Sequence, residues 1–145
     1  MNKNYNDIGG GLLPIGLGIG SSLACDGDAA TVLSGVMDLT NIDSICVVAN
    51  VDCTLSSGET LGLAIQYETS SNNSTWATPV TAVASSVIAT GASGGSTEYA
   101  AVKLDLDTAP LPKYIRFTAV PDFEATATDT ATIGFSAVYS PKITY

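Results

Sequence analysis

Alternating apolar and polar positions recur along this chain in short runs, and the clearest lies between Glu59 and Thr78, ETLGLAIQYETSSNNSTWAT. Leu61, Leu63, Ile65 and Tyr67 fall on one side of an extended segment, and Gly62, Ala64, Gln66 and Glu68 on the other. That is the period of a strand whose two faces meet different surroundings. The run from Thr69 to Thr75 breaks the alternation with Ser and Asn, which close turns by bonding their side chains to the nearby backbone. Trp76, the only tryptophan, follows at once. Its large ring calls for burial and for a partner to its indole N–H. The segment therefore predicts a strand, an exposed loop and a return strand, with Trp76 as the loop anchor and a residue of the core.

Similar signals follow from Ala29 onward. Strands are predicted over 30–39, with Gly35 marking a bulge, and over 44–52, where Ile45, Val47, Ala49 and Val51 share a face. Further strands cover 80–90, which is β-branched and Ala-rich, and 97–107, with Tyr99, Val102, Leu104 and Leu106 against Lys103, Asp105 and Asp107. Residues 113–120 alternate Ile115, Phe117 and Ala119 against Tyr114, Arg116 and Thr118. Residues 130–140 place Ile133, Phe135, Ala137 and Tyr139 together. Gly, Pro, Ser and Asn turns separate these runs, and no helical period competes with them. About seven or eight such strands make an all-β chain, an antiparallel jelly roll or β-sandwich, spanning 29–145 as one domain.

Residues 1–28 have a different character. From Ile8 through Cys25 there is no charge, and Gly9, Gly10, Gly11, Gly16, Gly18 and Gly20 join Pro14 in spoiling any helix long enough to span a bilayer. The flanks, one Lys and then Asp7, are not those of a signal peptide. The stretch reads as an extended Gly-rich N-terminal arm. Leu12, Leu13, Ile15, Leu17 and Ile19 are its candidate apolar contacts, either on a neighbouring subunit or on its own domain.

Charge narrows the function classes. Charged residues are 13% of the chain, about half the usual ~25%, so the surface must be clothed in Ser, Thr, Asn and Gly. That suits a protein covered by neighbours. Fourteen acids against five bases, net −9, argue against nucleic acid, whose phosphates need Lys and Arg, and against anionic membrane surfaces. With no histidine, the commonest general base and metal ligand is missing. Cys25, Cys46 and Cys53 are an odd number without CxxC spacing, and read as reduced, apolar thiols. Asp105 and Asp107, or Asp122 and Glu124, resemble catalytic or calcium-binding pairs only in spacing; acids two apart on a strand are ordinarily a solvated face. Arg116, the only arginine, is expected to pair with an acid across the sheet or across a subunit interface. No catalytic residue, cofactor or metal site is expected.

Three pieces carry a family resemblance. CVVANVD at 46–52, LAIQYET at 63–69 with its polar loop and Trp76, and LPKYIRFT at 111–118 followed by ATIGFSAV at 131–138 resemble strands and turns of the jelly-roll cement, or decoration, proteins of tailed bacteriophage capsids. The likeness spans about residues 29–140, and the arm before it is longer than the family suggests. The resemblance implies a non-enzymatic homotrimer on the capsid exterior, assembled in the host cytoplasm. It would bridge major capsid protein subunits, with Tyr114 and Arg116 joining the arm residues as candidate contacts. Two other readings remain open: a carbohydrate-binding sandwich using Trp76, or a tail or fibre component.

Overall fold

The computed structural model describes residues 13–24, 31–124 and 128–142, and every element in them is a strand. In chain order these are β1 (Leu13–Ala24), β2 (Val32–Leu33), β3 (Met37–Asp38), β4 (Ile42–Leu55) and β5 (Thr60–Ser70). They continue with β6 (Val80–Thr90), β7 (Ser96–Asp107), β8 (Tyr114–Phe123) and β9 (Thr130–Pro141). One sheet runs β1-β9-β4-β7; the other runs β2-β8-β5-β6, with β3 also pairing β8. All pairings are antiparallel. With β2 and β3 taken as one interrupted strand, two four-stranded sheets face each other in jelly-roll order.

The core follows from the period of two. Ile45, Val47, Ala49, Val51, Cys53 and Leu55 of β4 point inward, as do Leu61, Leu63 and Ile65 of β5. Ile115, Phe117 and Ala119 of β8 meet Ala131, Ile133, Phe135 and Ala137 of β9 in the same interior. Each large side chain removed from water contributes about 1.5–3 kcal/mol. Phe117 and Phe135, from opposite sheets, lie 6.4 Å apart between ring centroids at a 36° tilt, within the favourable range for offset aromatic pairs.

Several elements differ from the sequence reading. The strand expected over 30–39 is two short pieces, because Ser34 replaces backbone with side chain. Its Oγ accepts the Phe117 N–H at 2.8 Å and donates to the Gly35 carbonyl at 2.8 Å. Strand β4 runs on to Leu55, since β7 pairs it from Ser44 to Leu55; Cys53 thus lies within the strand and not beyond it. Strand β8 continues through Pro121 to Phe123. Strand β2 ends opposite Ala119, so among the described residues no strand pairs β8 beyond Ala119 on that side, where a missing N–H at Pro121 costs little. Tyr99 faces solvent at 77% exposure, because it shares parity with Lys103 and not with Val102.

Within the stretch read as an arm, Leu13–Ala24 forms β1 and pairs with β9 at the edge of the first sheet. Its alternating apolar residues supply a strand pattern that the glycines obscured. Two register shifts, between Gly16 and Ile19 and between Ile19 and Ser22, each add a residue on β1 and so give it β-bulges. Residues 1–12, Leu12 among them, lie outside the described residues, as does Cys25.

Loops 56–59, 91–95 and 128–129 close one end. Gly91 donates its N–H to Glu59 and accepts from Gly58, both at 2.9 Å. A Cβ there would stand 2.0 Å from the Ser56 carbonyl oxygen, an obstacle of backbone that cannot swing aside. Replacing Gly91 by Ala is expected to lower unfolding free energy by about 1–3 kcal/mol. Phe117→Ala is expected to cost about 3–5 kcal/mol. Urea unfolding of the two variants, followed by far-ultraviolet circular dichroism, checks both values.

Candidate interaction surfaces

Because alternate residues fill the core, the remaining half of each strand forms two outer faces. On the five-stranded sheet, β8 turns Tyr114, Arg116 and Thr118 outward beside Ser70, Glu68 and Gln66 of β5. Arg116 donates from Nε to Glu68 Oε2 at 2.7 Å, with side-chain exposures of 24% and 14%. At that burial the pair is less screened than an open surface bridge. The Arg116 guanidinium carbon also lies 4.3 Å from the centroid of the Trp76 ring, a cation–π contact. Trp76 is half-buried on this outer face and is not part of the core. The inward positions of β5 and β8 are already taken by alternating residues, and Trp76 stands in the return segment before β6 begins.

The exposed loop between β5 and β6 is tied down from within. Asn72 Oδ1 accepts from the N–H groups of Ser74 and Thr75 at 3.0 and 2.9 Å, and the Ala77 N–H donates to the Thr69 carbonyl at 2.9 Å. Asn73 takes a left-handed φ of 58°, which Asn tolerates better than most residues. Trp76 on Arg116 completes this mooring.

At the other end of the same face lies a cavity of about 300 Å³ lined by Thr60, Gly62, Ser85, Ser86, Val87, Asp122 and Glu124. Ser85 Oγ donates to Asp122 Oδ2 at 3.3 Å across β5, and Thr60 Oγ1 donates to Glu124 Oε2 at 2.8 Å. The reach across β5 exists because Gly62 has no side chain; a Cβ there would lie 2.9 Å from Ser85 Oγ. A glycine inside an otherwise apolar strand was the only sequence signal for this close approach. A buried clasp also went unread: Asp129 Oδ1 accepts from Ser56 N and Oγ at 2.8 and 2.7 Å. Asp129 Oδ2 has no partner among the described residues.

The outer face of the four-stranded sheet is lined chiefly by small side chains. Ser44, Cys46, Val48 and Asn50 of β4 stand level with Ser140, Val138, Ser136 and Gly134 of β9, and with Asp107, Asp105, Lys103 and Ala101 of β7. A shallow cavity of about 610 Å³ opens at one end, lined by Ser44, Ile45, Cys46, Asp105, Leu106, Asp107, Val138 and Ser140. Lys103 Nζ lies 2.7 Å from Asp105 Oδ2, and this bond holds the Asp105 carboxyl below its usual range. Burial pushes the Cys46 thiol up, and the neighbouring Asp105 adds to the rise. Cys53, deep in the core, is raised chiefly by burial as well, so neither is poised as a nucleophile. Among the described residues no three or more Asp, Glu or Cys side chains gather where they would hold a metal ion.

Of the candidate contact residues, Tyr114 and Arg116 share the face that carries Trp76. Leu13, Ile15, Leu17 and Ile19 lie in β1, at the edge of the opposite sheet. The arm and the Arg116 group are therefore not one patch.

No family model matches the chain, and no curated protein matches its sequence. Solved structures do share its fold. A chain of the IBDV viral particle aligns with a TM-score of 0.56 at 12% identity, covering 90% of this chain and 31% of that one. The VP2 subviral particle of infectious bursal disease virus gives 0.54 at 14% identity, over 90% of this chain and 32% of that one. The Gt strain of the same virus gives 0.53 at 16%, over 92% and 34%. The chain thus spans about a third of the length of the proteins it matches. At these identities the likeness is one of fold.

A double-mutant cycle tests the Trp76 mooring. Arg116→Leu is expected to destabilise by about 1.5–3 kcal/mol, since it strips a charged hydrogen bond from half-buried Glu68. Trp76→Ala and Arg116→Leu together are expected to fall short of additivity by about 0.5–1 kcal/mol. Chemical unfolding of the four proteins reads both quantities.

Proposed function

We propose that this chain is a virion structural protein, a capsid cement or decoration subunit that works by covering surface and not by catalysis. The observation that carries the reading is the sharing of nine-tenths of its length with a jelly-roll portion of a viral particle protein. Charge content supports it: among the described residues Lys103, Lys113 and Arg116 are each engaged with an acid of the same chain. That leaves few cations to grip phosphate and broad Ser-, Thr- and Ala-rich faces to lie against a neighbour. A modest interface repeated around an icosahedral shell gains strength through multivalency.

In this proposal the subunit is a homotrimer on the capsid exterior that bridges major capsid proteins. Residues 1–28 then act as the N-terminal arm, with Leu12, Leu13, Ile15, Leu17 and Ile19 as its apolar contacts on a neighbouring subunit. Tyr114 and Arg116 make a second contact on the opposite sheet. The half-exposed position of Trp76 favours one rival, a sandwich that holds a glycan against the indole. Arg116 stacked on that ring weighs against it.

Sedimentation of the purified protein, alone and mixed with empty capsids of a tailed phage, tests the proposal. A trimer that co-sediments with shells is expected. A monomer that ignores shells but is retained on a glycan column replaces the proposal with its rival.

A further inference from the structure

The outermost strand of a sheet presents unpaired N–H and C=O groups to any extended chain of fitting register. Most such margins of this fold are blunted. Strand β1 carries two register shifts and β6 three, and bulges of this kind bend a strand out of line. The margin of the second sheet opposite β6 is made of β2 and β3, two residues each. Strand β7 is different. It pairs β4 from Ser96 to Asp107 without a shift, and among the described residues no strand pairs its other side. We propose that β7 pairs antiparallel with β7 of a second copy of this chain across a two-fold axis at Leu104, so that the four-stranded sheets of the two copies run into one another.

Amide direction, charge and half-covered apolar residues agree on that partner. Just past β7 the Thr108 N–H donates to the Asp43 carbonyl at 3.2 Å, and the Cys53 thiol donates to the Glu98 carbonyl at 3.6 Å. Even-numbered residues of β7 therefore turn their backbone groups to β4. The alternation of an antiparallel ladder then turns those of Ala101, Lys103, Asp105 and Asp107 away from it. An axis at Leu104 sets Lys103 opposite Asp105 of the second copy and Ala101 opposite Asp107, all with outward backbone groups. Within one chain Lys103 Nζ lies 2.7 Å from Asp105 Oδ2, so the paired copies would carry a row of charges alternating in sign. On the core side the same axis sets Val102 opposite Leu106, both only half-buried, where a strand alongside would finish covering them. Other axes fit worse. One at Lys103 puts that lysine against itself, and one at Asp105 does the same with the carboxylate; like charges directly opposite destabilise a strand pair. One at Val102 sets Leu106 against Glu98. A contact in which each copy offers the same strand is isologous and closes on itself.

The proposal stands apart from the capsid reading and is tested on the purified full chain without shells. Sedimentation over a concentration series is expected to show an association that Lys103→Asp weakens by about tenfold or more, because acids then face acids. The exchanged variant, Lys103→Asp with Asp105→Lys, restores opposite charges at each position and should recover the association. Circular dichroism at high dilution checks that both variants fold. Amide hydrogen exchange at Ala101, Lys103, Asp105 and Asp107 should slow by about tenfold or more at high concentration. Exchange at those amides that ignores concentration would overturn the proposal, and a trimer found alongside that result would leave the capsid reading intact. Association indifferent to both variants would overturn it as well. So would protection that persists at high dilution, which would assign the margin of β7 to a segment of the same chain.

Discussion

Strand β4 is bonded to β7 on one side and β9 on the other over nearly its full length, and its inward residues must therefore stay on one parity from Ile45 to Leu55. A slip of one residue would turn Val47, Ala49, Val51 and Cys53 to water together and bring Asn50 and Asp52 inside. This constraint propagates outward. Strand β9 is locked by β4 and in turn sets the line of β1, while the opposing sheet has to supply Leu63, Ile65, Ile115 and Phe117 at matching depths. The register of a single central strand thereby decides which half of every other strand becomes surface.

That same alternation is why most of the fold could be read from sequence. Strands β4, β5, β8 and β9 announced themselves because apolar and polar residues took turns, and their inward faces are those the pattern assigns. Legibility failed where something other than alternation held the backbone. Ser34 bonds the Phe117 N–H through its side chain, which no hydrophobic pattern can signal. Strand β1 hides behind glycines, since a residue without a side chain declares no face. Tyr99 was grouped with the wrong neighbours because an aromatic ring reads as core even when parity places it outside.

Surface features were less legible still, because they depend on which residues meet across strands far apart in sequence. Arg116 and Glu68 are separated by 48 positions, and their pairing follows from the β5–β8 register and not from any local motif. Trp76 looked like a core residue on size and apolarity. It instead covers a cation, spending its ring on holding an exposed loop in place. The Gly62–Ser85–Asp122 contact needs three strands to be known before it can be seen.

Strand β6 has a consequence for handling this protein in quantity. It is an eleven-residue edge without a charged side chain, the composition that ordinarily zips into fibrils. Its pairing with β5 shifts register three times, each shift adding a residue on β6. Those extra residues coil the edge so that its free amides cannot line up with a straight foreign strand. An edge with no charges of its own is in this way made a poorer template for pairing along that side. Curvature there does the work that lysines do on other sheet margins.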